Sequence, residues 1–453
     1  MQNNKQEQKR IVLPRPMHIY PLKSSCKRAL LMLNLLLLLA ACTPTPESNV
    51  LGYYLARRLG TLTMQPETAT GTLTGIVTNT TGEAIEGATV VVATRTGTPY
   101  AAQTDAQGNY TIQDVPPGQY VPAAVAPGYE ETVPHGWLDI PSLVTVAAGK
   151  RVTLPPIILH RHQADPLPAP LPSAVNLVET ASYTATTPYP EGGAAQVHAY
   201  RFDYAGATID TLRLYLPLEV PAGGQLPMLF MIYPSPVDGW ESVSVGFAAA
   251  GYAFVAISPM ADRALEIDAH AQDARVGLAL ARGGHLHPAI ASDEVVVLGG
   301  SFSSPIMHRL MRDERAAVAA WITVGGISNA FSGTADFYAG KLQMPPQYEL
   351  FIPALGAPNL YPLTFLRYSP VYTASQLPPT LIIHTASDLV TPIDQAYQLE
   401  AALKETNVPM QVFYYEDVSH YLQIGDDLTE AGKEMYNLII DFAQEYQSLP
   451  PVP

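Results

Sequence analysis

The ten residues from Val295 to Ser304, VVVLGGSFSS, constrain the fold of this chain more than any other stretch. Four apolar residues, three of them β-branched, run directly into two glycines and a serine, and an amphipathic segment from Pro305 to Arg312 follows at once. A short apolar run of this kind reads as a buried strand, and the segment after it as a helix. Only a tight turn fits between them, with Ser301 at its apex. Such a turn lifts the Ser301 hydroxyl clear of the sheet edge. It also aims the Phe302 N–H and the positive end of the following helix at whatever the serine attacks. Buried strands feeding helices in this way imply a doubly wound, mostly parallel sheet.

Gly299-Gly300-Ser301-Phe302-Ser303 resembles the nucleophile elbow of the α/β-hydrolases, with Ser303 standing where the motif has its second glycine. The resemblance implies a histidine base and an orienting carboxylate in the chain order Ser, Asp or Glu, His, each in a loop after a strand. Thr380-Leu381-Ile382-Ile383-His384 reads as a buried strand, Asp388 lies in the loop that leaves it, and Val390-Thr391-Pro392 leads into a helix. Met410 to Tyr415 reads as the next strand, followed by Glu416-Asp417-Val418-Ser419-His420 and a final helix from about Leu428 to Tyr446. The strand, Asp, Val-x-Pro, helix pattern is similar to dienelactone-hydrolase-like and prolyl-oligopeptidase-like members. Taken singly, Asp388 also reads as a cap for the helix near Pro392, and His420 as an ordinary loop histidine. Glu416 and Asp417 are rival acids. The shared order and loop positions select Ser301, Asp388 and His420 as the catalytic candidates.

The chemistry follows from the residue types. His420 would take the serine proton during attack and return it to the leaving group, with Asp388 holding the imidazole in the needed tautomer. The resemblance also implies two oxyanion donors. One is the Phe302 N–H. The other should come from the loop after the third strand, Leu229 to Pro236, where Pro234 and Pro236 have no N–H to give. Ser235 or Val237 must serve, and Ser235 is the expected donor. No cofactor and no catalytic metal are expected, since His270, His285, His287 and His308 form no ligand set.

The N-terminus carries a second signal. Lys23, Lys27 and Arg28 precede an apolar run from Ala29 to Ala41, too short to span a bilayer as a mature helix. The run ends Leu39-Ala40-Ala41-Cys42, which resembles a bacterial lipobox. That resemblance implies removal of residues 1–41 and acylation of Cys42, with Met17 an alternative start. It places the protein at a cell membrane or outer membrane, lipid-anchored and facing outside the cytoplasm. Only Cys26 and Cys42 exist, so a processed chain would hold no disulfide and no cysteine nucleophile. The full chain carries a formal charge of −15. Without residues 1–41 it has 18 basic against 39 acidic residues, which argues against nucleic acid as a partner.

Composition divides the rest. Residues 42–70 read as a tether, with a short helix at Leu51 to Leu59. From Gly71 to Leu159, short alternating segments separated by Gly, Pro and Asn turns imply a small antiparallel β-sandwich. The series resembles carboxypeptidase regulatory-like domains and is expected to act as spacer or adhesion module, with a glycan or protein contact at the cell surface as its partner. Residues 160–175, with His160, His162 and four alternating prolines, read as a solvated polyproline linker. Residues 176–448 read as the α/β-hydrolase domain. An opening hairpin at Gln196–Tyr204 and Thr211–Leu216 precedes strands at Leu229–Tyr233 and Tyr252–Ser258. A long helix runs from about Ala264 to Arg282. Residues 325–377 break the rhythm and read as a lid, with Phe331, Phe337, Tyr338, Tyr348, Phe351 and Tyr361 as candidates to line a pocket. The expected activity is carboxylic ester hydrolysis on a small-molecule or short-peptide ester or amide substrate. A prolyl-oligopeptidase-type peptidase and a catalytically inactive surface binding lipoprotein are the alternatives.

Overall fold

The computed structural model describes residues 69–136, 140–189, 192–220, 222–416, 420, 423–424, 427–428 and 430–452. The leader, Cys42, the tether and the Leu51–Leu59 helix expected there lie outside the described residues. No helix among the described residues is long and apolar enough to cross a membrane.

The described residues of the N-terminal domain form nine short strands. These are β1 (Gly71–Asn79), β2 (Thr89–Ala93), β3 (Pro99–Gln103), β4 (Asn109–Val115), β5 (Gly118–Tyr120), β6 (Ala123–Val125), β7 (Val144–Val146), β8 (Arg151–Thr153) and β9 (Ile157–Leu159). Alternation decides the faces: in β4, Tyr110 and Ile112 point inward while their neighbours face solvent. The pairing is antiparallel except at β1, which takes β8 and β9 in parallel. Leu73, Val77, Val90, Val92 and Ile157 form the sandwich core.

The second domain holds a nine-stranded sheet. Its strands are β10 (Val178–Thr187), β11 (Gly193–Tyr204), β12 (Ala207–Pro217), β13 (Met228–Ile232), β14 (Ala253–Ile257), β15 (Val295–Gly300), β16 (Val318–Val324), β17 (Thr380–Thr385) and β18 (Met410–Tyr415). Their order is β10-β11-β12-β14-β13-β15-β16-β17-β18. The three strands from β10 to β12 pair antiparallel and the last six are parallel to one another. From β13 the chain goes outward to β14, then crosses back to β15 on the other side. Ligands of open α/β sheets bind beside such a reversal, at the carboxyl ends of the strands. Strand β10 was not foreseen. Its sequence, VETASYTATT, is polar and faces solvent along most of its length, as an edge strand can.

Eight α-helices complete the described hydrolase domain: α1 (Glu241–Ala249), α2 (Ile267–Arg282), α3 (Ser303–Glu314), α4 (Ala330–Tyr338), α5 (Phe351–Ala354), α6 (Pro362–Arg367), α7 (Asp394–Glu405) and α8 (Glu430–Glu445). Helices α1 and α8 cover one face of the sheet, through Phe247, Tyr436, Ile439 and Phe442. Helices α2 and α3 cover the other, through Val276, Leu280, Ile306 and Leu310.

The sandwich is not a free spacer, and the Pro-rich segment is not simply solvated. Val91, Ala93, Val121, Ala123 and Val125 share one continuous apolar core with the α2 and α3 face. The turn between β2 and β3 meets α4 so closely that a side chain on Gly97 (φ +104°) would strike the Phe331 carbonyl oxygen at 2.6 Å. Charge completes the seam. Glu131 of the sandwich chelates the Arg309 guanidinium of α3 through both oxygens, and Arg309 Nε donates to Asp268 Oδ1 at 2.6 Å. Arg312 Nη1 donates to Glu130 at 3.2 Å. His162, read as a linker residue, is wedged between Glu130 and Asp313.

Candidate active site

Six consecutive buried residues deliver β15 to the turn, and Ser301 then takes φ +48°. A serine rarely adopts this left-handed backbone, and it persists only where its surroundings dictate it. The surroundings are specific. The Ser301 N–H donates to the Val324 carbonyl at 3.1 Å, and the Ser301 carbonyl accepts from Ile327 N–H at 3.2 Å. Ser303 explains how the elbow dispenses with its second glycine. Its hydroxyl donates to the Gly300 carbonyl at 2.8 Å and accepts from the Gly300 N–H at 3.0 Å. The side chain folds back into the turn instead of separating helix from strand, and it is wholly buried.

The acid loop leaves the rigid end of β17. Asp388 Oδ1 accepts from Val390 N–H and Thr391 N–H, both at 2.8 Å. These bonds close a turn within the loop itself, so Asp388 does not cap α7, which begins at Asp394. Its Oδ2 faces His420, whose Nδ1 lies 2.5 Å away. A carboxylate can only accept, so Nδ1 carries the proton and Nε2 is the basic nitrogen. Both side chains are buried, His420 at 5% exposure and Asp388 at 0%. Gly325 makes the approach possible: a Cβ there would stand 3.2 Å from His420 Cε1 and 3.5 Å from Asp388 Oδ2. Of the rival acids, Glu416 is exposed at the end of β18, and Asp417 lies outside the described residues.

Ser301 and His420 line the same cavity, of about 80 Å³. Its other walls are apolar: Met231 of β13 and Pro234 just after it, Trp240, Val243 and Phe247 around α1, and Met435 and Ile439 on α8. A larger cavity of about 450 Å³ lies at the seam with the sandwich, among Glu130, His162, Arg263 and Asp313, and contains none of the candidates.

Among the described residues the Phe302 N–H has no intramolecular acceptor, which leaves it available at the turn. Its ring packs edge-on to Phe351 of α5 at 5.4 Å and against Tyr368 at 6.1 Å. Ser235 follows Pro234 in the loop after β13. Its Oγ accepts from Trp240 Nε1 at 2.8 Å, and Pro234 lines the cavity in its stead. Among the described residues the Ser235 backbone N–H has no intramolecular acceptor, which leaves it available as a donor.

The lid aromatics mostly pack. Phe331 packs tilted against Phe365 and edge-on to Tyr372, Tyr338 rests on Ile352, and Tyr348 and Tyr361 face solvent. None of the six lines the cavity beside Ser301. Among the described residues no three His, Cys, Asp or Glu side chains gather as metal ligands. His308 is buried against Thr373, and burial pushes its pKa down to about 3.

Residues 288–448 match the prolyl oligopeptidase family, and residues 72–159 match the carboxypeptidase regulatory-like domain. The chain is a serine hydrolase. Its larger domain has the α/β-hydrolase fold, preceded by the β-sandwich. A thermostable esterase from Pseudomonas putida is 14% identical with a TM-score of 0.48, over 56% of this chain and 84% of that one. The acylaminoacyl peptidase of Pyrococcus horikoshii is 14% identical with a TM-score of 0.43, over 81% of this chain and 55% of that one. An esterase from Thermogutta terrifontis is 16% identical with a TM-score of 0.40, over 53% of this chain and 92% of that one. Likeness at this level bears no weight on substrate. No curated protein sequence matches the hydrolase.

Proposed function

We propose that this hydrolase cleaves carboxylic esters of short, uncharged acyl groups through Ser301, His420 and Asp388. The observation that carries the reading is the shared cavity: a serine held at φ +48° and a histidine with Nδ1 on a buried carboxylate open onto one small space. His420 Nε2 removes the Ser301 proton as Oγ attacks the carbonyl. The negative charge that develops falls to the Phe302 N–H, the Ser235 N–H and the end of α3. Collapse expels the alcohol, which takes its proton from His420, and water then repeats the sequence to free the acid. Asp388 stabilises the imidazolium at both stages.

The acyl preference comes from size and polarity. A cavity of about 80 Å³ is roughly half of one that admits benzene. His420 is its one ionisable wall, so a charged acyl substituent would be desolvated without a partner. The family match over residues 288–448 favours a second reading, a peptidase acting on amides by the same steps. The lipobox at Leu39 to Cys42 supports a lipid anchor and an extracytoplasmic location, with the membrane as partner through Cys42. Kinetics on p-nitrophenyl acetate, butyrate, hexanoate and octanoate, beside proline and alanine p-nitroanilides, test the reading. The expected result is a kcat/KM that falls at least tenfold from butyrate to octanoate, with anilides slower than either. Faster turnover of the anilides favours the peptidase.

A further inference from the structure

His384 takes no part in the chemistry above, yet it is buried beside Asp388. It belongs to β17 and pairs across the sheet with Tyr414 of β18, so its backbone is fixed. Its Nε2–H donates to the Thr391 carbonyl at 2.7 Å. The N–H of that same residue donates to Asp388 Oδ1 at 2.8 Å. Oδ2 of the carboxylate holds His420 Nδ1 at 2.5 Å. A continuous chain of contacts therefore runs from the sheet through His384, the Thr391 backbone and Asp388 to His420. Other bonds tie the first half of the loop to β18, such as Ala386 N–H to the Tyr415 carbonyl at 2.7 Å. His384 ties its second half to the sheet through Thr391.

The ring's charge matters as well as its bond. His384 Nε2 stands 3.6 Å from Asp388 Oδ2, too far for a hydrogen bond but close enough for a cation to compete with His420. The ionisable groups facing His384 are Asp388 and His420. Burial lowers its pKa from the ordinary histidine value, against the opposing pull of the Thr391 carbonyl and Asp388. The ring is therefore neutral at neutral pH.

We propose that His384 is a positioning residue: through the Thr391 backbone it fixes the Asp388 carboxylate against His420, and as a neutral ring it leaves the charge of that carboxylate to His420. The proposal rests on the reading of Ser301, Asp388 and His420 as a triad. It does not depend on whether the substrate is an ester or an amide.

The experiment compares the full-length protein with His384→Leu, which keeps the bulk and loses the donor, and His384→Gln, whose amide N–H can reach Thr391. It reads kcat, KM, the pH profile of kcat/KM on p-nitrophenyl butyrate and the rate of fluorophosphonate labelling. Partners that orient a catalytic group typically contribute about tenfold or more, as at metal centres. In His384→Leu the expected kcat is about tenfold lower with KM within twofold, and labelling slows by the same factor. Its acid limb moves to lower pH, because Asp388 supports the imidazolium less well. His384→Gln recovers most of the loss. A folded His384→Leu with parental kcat and an unmoved acid limb overturns the proposal, as does a His384→Gln no faster than His384→Leu. Should His384→Leu not fold, His384→Asn takes its place, its amide being too short to reach Thr391. Failure of the parent to label, or undiminished turnover by Ser301→Ala, overturns the triad reading and the proposal with it. A labelled parent beside an unaffected His384→Leu overturns the proposal alone.

Discussion

The two faces of the elbow are built on opposite principles. On the α3 side the structure is committed by charge: Arg309 lies buried between Glu131 and Asp268, His308 is buried on Thr373, and the sandwich is locked against the helix. On the α1 and α8 side the walls are Phe247, Met231, Met435 and Ile439, and a small apolar space remains open beside Ser301. Buried ion pairs have demanding geometry and tolerate little movement, whereas methionine adapts to what it touches. The contrast teaches that one face holds the nucleophile still while the other admits substrate. It also makes the sandwich a part of the hydrolase's own framework.

Breaking the rigid face should have the largest effect. Glu131→Leu leaves Arg309 charged and buried without its main partner, which costs about 3–5 kcal/mol in comparable cases. Chemical denaturation should show that loss, and Glu131→Leu with Arg309→Met should recover part of it. If the single variant is as stable as the parent, the seam does not hold the two domains.

Acid should act on the same face. Burial alone would raise the Glu131 pKa, but Arg309 and Arg312 outweigh it and hold it at about 2. A depressed carboxylate stabilises the fold above its unfolded value of about 4.5, and that contribution is lost as pH falls toward 2. His308, held near 3, favours the neutral fold above its unfolded value of 6.5, and its share is lost as pH falls below that. Between pH 6 and 4 each such buried histidine contributes a slope of about 1.0 to 1.4 kcal/mol per pH unit. His308→Gln should flatten the stability curve there. A parent Tm that does not change over this range contradicts the assignment.

The soft face should respond in substrate choice. Met435→Phe narrows the cavity and should lower kcat/KM for butyrate about tenfold against acetate, a change of about 1.4 kcal/mol. Equal losses on both esters would place the acyl group elsewhere. The smallest effect is expected at Ser303→Gly, which restores the hydrolase motif but removes two hydrogen bonds to Gly300. It should lower stability by about 1 kcal/mol and leave turnover within a few-fold.

What could be read beforehand divides along the same line. The elbow was legible because strand, turn and helix are contiguous and each has a local signature. The pairing of Asp388 with His420 was legible as an order of loops, although their contact spans 32 residues. The rigid face was not, because Glu131 and Arg309 stand 178 residues apart and neither carries a motif. His162 was misjudged for the same reason: among prolines it looks solvated, and only the folded chain brings Asp313 to it. The role of Ser303 escaped notice because its hydroxyl bonds to the backbone three residues before it. Strand β10 was missed because an edge strand need not alternate strongly.

The most direct test of the account is intact-mass analysis of the full-length protein after fluorophosphonate treatment, followed by peptide mapping, beside Ser301→Ala and His420→Ala. The account predicts one adduct, on the peptide containing Ser301, absent in Ser301→Ala and formed at least a hundredfold more slowly in His420→Ala, in line with the usual contribution of a general base. No adduct on the folded parent, or an adduct on another residue, would contradict it.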